Sequence, residues 1–77
     1  MAYTVTAQWD EEAHVWVAHS EDVPGLATGA DSYEALIGKL RVVVPELLEA
    51  NGLLKPGAGD VDFAIVAERT EHVRRVA

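Results

Sequence analysis

The sequence predicts an α/β (α+β) domain: a four-stranded sheet with one long helix on one face, in the order β-β-β-α-β. Three observations predict it. Two early segments alternate apolar and polar residues with the period of a strand. A single apolar stripe at three- and four-residue spacing then runs from Leu36 to Leu48. A last alternating segment follows a loop rich in Pro and Gly. The chain has 77 residues, enough for one hydrophobic core, so residues 1–77 are expected to form a single domain.

Tyr3, Val5, Ala7 and Trp9 alternate with Thr4, Thr6 and Gln8, the signature of a half-buried first strand. Asp10-Glu11-Glu12-Ala13 is a polar turn, and His14 to Ser20 forms the second strand. With Asp10 paired to Ala13 across a two-residue loop, Trp9 lies opposite His14, Ala7 opposite Trp16 and Val5 opposite Ala18. One face then carries Val5, Ala7, Trp9, Trp16 and Ala18. The other carries Thr4, Thr6, Gln8, Val15, Val17 and His19.

Pro24-Gly25 turns the chain, and Leu26-Ala27-Thr28 is long enough for a short edge strand. Asp31 and Glu34 have the spacing of a capping box, with Ser32 as the competing cap one residue on. Leu36, Leu40, Val43, Val44, Leu47 and Leu48 make one apolar helix face, and Asn51-Gly52 is a stop signal with Gly52 free to take the left-handed conformation. Pro45 removes one backbone hydrogen bond and crowds the carbonyl of Arg41, which costs about 3 kcal/mol in a straight helix. Because the apolar phase continues across it, the expectation is one kinked helix. Lys55 to Asp60 is a loop, and Val61 to Glu68 the last strand. The charged remainder, Arg69 to Ala77, either frays or extends that strand into a partner.

A single helix shelters one face of such a sheet. The other face holds Val15 and Val17 with either Val66 or Ile65, so an outside surface is expected to cover it. A two-fold homodimer through Val15, Val17, His19 and Val66 is the simplest arrangement. Thirteen acidic and six basic side chains give a net charge of −7, which repels phosphate backbones and suits a basic protein partner. Direct nucleic-acid binding is not expected. With no cysteine there is neither disulfide nor thiolate chemistry. The start of the chain runs directly into a strand pattern and no apolar run is long enough to span a bilayer, so the expected location is the cytoplasm, away from membranes.

Catalytic constellations are not evident, and neither a cofactor nor a metal is expected. Asp10, Glu11 and Glu12 cluster at a hairpin tip, where solvated acids are ordinary; a divalent-metal nuclease would need carboxylates in the body of the first strand. His14 and His19, five residues apart on a strand, point to opposite faces and do not make a zinc pair. Ser20 and Ser32 have no nucleophile-elbow setting, and the glycines match no phosphate-cradling pattern. Trp9 and Trp16 read as core rather than as base-stacking platforms.

Three segments carry a family resemblance. They are Trp9 to Ala18, Asp22-Val23-Pro24-Gly25-Leu26-Ala27-Thr28, and Asp31 to Leu36 with Val44 to Gly52. In order and spacing they resemble the N-terminal domain of HicB antitoxins, and still more the short stand-alone HicB-related proteins of unknown function. The resemblance implies a reduced RNase H-like fold, with the last strand parallel beside the first and sheet order 3-2-1-4. It also implies a non-enzymatic module that masks a small, basic, RNA-cleaving HicA-like toxin. The family's C-terminal DNA-binding domain has no counterpart here, so operator repression is not expected. The surface expected to meet a partner is Glu21, Asp22, Val23, Pro24, Leu26 and Thr28, an exposed strand edge flanked by acids. Two other readings compete: an orphan self-assembling structural domain, and a divalent-metal-dependent ribonuclease of RNase H-like ancestry.

Overall fold

A computed structural model describes residues 3–57 and 59–76. The outermost residues of the expected domain, Ala58 in the loop and Ala77 in the tail lie outside the described residues. The elements are β1 (Tyr3–Asp10), β2 (Val15–His19), β3 (Ala27–Ala30), α1 (Tyr33–Ala50) and β4 (Phe63–Glu68). They form one four-stranded sheet in the order β3-β2-β1-β4. β1 is antiparallel to β2 and parallel to β4, and β2 is antiparallel to β3. This is the expected topology, with the crossover helix packed on one face.

The faces are as the alternation predicts, but the first hairpin is paired differently. Trp9 stands opposite Trp16 and Ala7 opposite Ala18, so the loop spans four residues rather than two. The Asp10 carboxylate decides this: its Oδ1 accepts from the amides of Glu12 (3.0 Å) and Ala13 (3.1 Å), and His14 closes the loop at φ 54°. A slip of two residues keeps every side chain on its own face, which is why the face assignment survives the wrong register.

Val5, Ala7 and Ala18 from the sheet meet Leu36, Leu40, Val44 and Leu48 from α1, and Val23, Leu26 and Ala30 complete the buried core. Val43 and Leu47, on the flank of the helical stripe, are half-buried. The helix is continuous through Pro45. Its cap is Ser32, whose hydroxyl accepts from the Ala35 amide at 3.1 Å, in place of the Asp31–Glu34 capping box. At the other end Gly52 (φ 72°) donates to the Glu49 carbonyl and Leu53 to the Leu48 carbonyl, a Schellman closure that satisfies the last carbonyls. β3 begins and ends later than the sequence indicates, at Ala27–Ala30, and β4 begins at Phe63 instead of Val61. α1 approaches β3 and β2 and stays further from β1 and β4, so one side of the sheet is roofed more closely than the other.

Candidate functional site

The segment between β2 and β3 is held from below by side chains that act as substitute backbone. β2 ends at His19, which leaves Thr4 of β1 without a strand partner on that side. The Ser20 hydroxyl donates to the Thr4 carbonyl at 2.5 Å, and the Thr4 amide donates to Asp22 Oδ2 at 2.8 Å. Ser20 Oγ also accepts from the amides of Asp22 (3.0 Å) and Val23 (3.2 Å). A turn follows in which Leu26 donates to the Val23 carbonyl at 3.2 Å, with Pro24 and Gly25 (φ 83°) in its central positions, the type II pattern. The Asn51 side chain donates to the Pro24 carbonyl at 3.3 Å, fastening the turn to the end of α1.

The residues expected to meet a partner therefore divide. Glu21, Asp22 and Pro24 are exposed. Val23 and Leu26 are core residues with 0% and 5% exposure, a correction to their expected place on the surface. Thr28 stands opposite Ala18, on the helix-covered face, and is half-buried. Asp22 is engaged by the Thr4 amide, whereas Glu21 has no side-chain partner among the described residues. Ser20, which organises the whole segment, was not singled out for this role by sequence reasoning. Its signal is a hydroxyl residue directly preceding a turn, a position that favours accepting from the next amides.

The second predicted set, Val15, Val17, His19 and Val66, lies together on the sheet face opposite the helix. Val15 and Val17 are half-buried, His19 is exposed, and Val66 is 48% exposed. Among the described residues no second layer covers this face. It is mixed rather than uniformly apolar: His19 Nε2 and Gln8 Oε1 are 3.3 Å apart, and Gln8 Nε2 donates to Glu68 Oε2 at 3.3 Å, a polar row crossing the valines. A shallow depression lined by Thr4, Thr6, His19, Glu21 and Asp22 joins this face to the Pro-Gly segment. The two predicted sets meet at His19.

The remaining candidates have specific partners. Asp10 is used by the hairpin loop, and Glu11 accepts from the Trp9 indole N–H at 2.6 Å. Trp9 and Trp16 are half-buried and belong to an aromatic row: Trp9 meets His14 (6.1 Å between ring centroids) and Trp16 (5.7 Å) edge-to-face, and Trp16 meets Tyr33 at a tilt (5.2 Å). The Arg69 guanidinium lies 4.5 Å over Trp9. His14 thus packs beside Trp9, as expected, from the loop instead of a strand. Among the described residues no group of three His, Asp or Glu side chains is placed to hold a metal ion, and no helix is long and apolar enough to cross a membrane.

Comparison with known proteins gives two matches and one blank. A family model described as "Domain of unknown function (DUF1902)" matches residues 2–77. The crystal structure of a hypothetical protein from the extremely thermophilic bacterium Thermus thermophilus is similar, with a TM-score of 0.71 and 47% identity over 97% of this chain and 100% of that one. No curated protein matches the chain.

Proposed function

Because the chain belongs to the DUF1902 family, whose function is unknown, we propose from its own surface that it is a small non-enzymatic protein-binding module. In this reading it resembles a HicB antitoxin: it pairs with itself and covers a small basic partner, an RNA-cleaving toxin of the HicA type being the partner the resemblance implies. The observation that carries the reading is the uncovered sheet face. Among the described residues no second layer covers Val15, Val17 and Val66 there, and a depression rimmed by Glu21 and Asp22 opens on the same face. Apolar contacts on such a face give adhesion, while exposed acids in a chain of net charge −7 steer a basic partner toward it.

The test is co-expression with any small basic protein encoded beside this chain, followed by titration calorimetry of the purified pair. Binding that weakens about tenfold in Glu21→Lys, roughly 1.4 kcal/mol, supports the reading. A neighbouring basic protein that does not bind, or whose binding is untouched by Glu21→Lys and Val17→Asp alike, refutes it.

A further inference from the structure

Beyond β4 the chain does not fold back. Arg69 stays on the side of Ile65 and Ala67, over Trp9, and Glu71 returns to that side two residues on, its Oε1 2.9 Å from Arg69 Nε. This is the side-chain alternation of a strand. Yet among the described residues, 70–76 make no backbone hydrogen bond to the rest of the chain. Val73 and Val76 are 75% and 93% exposed. The radius of gyration is 14.9 Å and the long axis 58 Å, against about 11–12 Å for a compact chain of this length. An arm of strand-like chain thus leaves an edge strand whose outer side has no partner among the described residues.

We propose that this arm pairs with a second copy of itself: β4 and its continuation form a two-fold antiparallel ribbon with the same strand of another chain, centred on Thr70. A two-fold axis perpendicular to the sheet keeps each face on its own side, so opposed residues must share a face and the axis must pass through a residue. Centring on Thr70 sets Arg69 against Glu71, Glu68 against His72, Ala67 against Val73 and Ala64 against Val76. Every charged group that meets another meets its opposite or a titratable imidazole. The neighbouring registers fail on charge. Axes through Glu68, Arg69 or Glu71 oppose that residue to its own copy, and an axis through His72 sets Arg69 against Arg75. Like charges directly opposed are destabilising, so among the registers within two residues of Thr70 this one is selected.

Net charge favours the same segment. Residues 1–68 hold twelve acidic and three basic side chains, whereas 69–77 hold three basic and one acidic. Two copies repel least where this basic run approaches the other's acidic body. The inference rests on the self-association in the proposed function and is independent of any toxin partner.

Sedimentation of the full chain and of two charge variants tests it. The unaltered chain is expected to dimerise at tens of micromolar. Arg69→Glu and Glu71→Arg each place two like-charged pairs in the ribbon, and each dimer is expected to weaken about tenfold. An equimolar mixture of the two variants is expected to recover the original affinity, because the altered positions then oppose each other with opposite sign between chains. Inside each chain the like-charged neighbours remain, so an intrachain effect predicts no recovery.

A second arm uses the absence of native cysteine. Thr70→Cys meets its own copy at about 4.5–5.5 Å between Cα atoms and is expected to cross-link within minutes of mild oxidation, far faster than Val76→Cys. A dimer whose Thr70→Cys form does not cross-link, or whose Val76→Cys form links as fast, overturns the ribbon while leaving pairing through the Val15 and Val17 face intact. A full chain that is monomeric overturns both.

Discussion

At one edge of the sheet, β3 is four residues long and lies close under α1, and Lys39 reaches from the helix to donate to the outward carbonyl of Gly29. At the other edge, β4 is six residues long, lies farther from the helix, and runs on into an extended arm with exposed valines. The first edge carries devices that discourage strand addition: shortness, a glycine, a roof and a lysine on the open carbonyl. Gly29 also allows close packing, since a Cβ there would stand 3.0 Å from the Trp16 carbonyl oxygen. The second edge carries none of these. Phe63 and Ile65, which face the core, are only half-buried, and Ala67 is exposed. An acidic chain with one closed and one open edge gains a defined partner direction, where two open edges would permit open-ended assembly.

The largest expected contrast lies between side chains under the roof and those away from it. Leu40→Ala leaves a cavity at a fully buried site and is expected to lower stability by about 2–5 kcal/mol in urea denaturation at high dilution. Ile65→Ala, on the less sheltered strand, is expected to cost about 1–2 kcal/mol under the same conditions. Equal losses would mean that α1 covers both sides alike.

Next in size is the fastening of the closed side. Ser32→Ala removes the acceptor for the Ala35 amide at the start of the roof, and about 1 kcal/mol of stability with it. Asp22→Ala strands the Thr4 amide and is expected to cost about 1 kcal/mol as well, read by the same titration. The smallest change in stability is expected for Lys39→Met, within about 0.5 kcal/mol for an exposed site. Its effect appears elsewhere: with the Gly29 carbonyl freed, light scattering at high concentration should detect species larger than a dimer. A strictly unchanged mass would deny Lys39 its guarding role.

Much of this architecture is legible in the sequence because it follows from periodicity. The alternation of Tyr3 to Gln8 and of Phe63 to Val66 assigns faces, and the spacing of Leu36, Leu40, Val44 and Leu48 gives the helix its buried stripe. Hairpin register was not legible, because a single carboxylate, Asp10, lengthens the loop by accepting two amides at once. The helix start was missed by one residue because Asp31 and Ser32 are both competent caps, and only backbone geometry chooses between them. Of the expected partner surface, Val23 and Leu26 turned out to serve the core: a short apolar segment beside a turn looks the same whether it points in or out. The contrast between the edges was hidden as well. It depends on which strands the helix approaches and on Lys39 reaching Gly29, neither of which spacing along the chain encodes.

Hydrogen exchange measured as a function of protein concentration addresses that contrast most directly. Alternate amides between residues 71 and 76, those turned toward the partner strand, are expected to be protected in concentrated solution and to exchange freely on dilution, while the hydrogen-bonded amides of β3 and β2 stay protected throughout. Free exchange of every amide from 71 to 76 at all concentrations, or concentration-dependent protection at the outer edge of β3 instead, would contradict the ribbon.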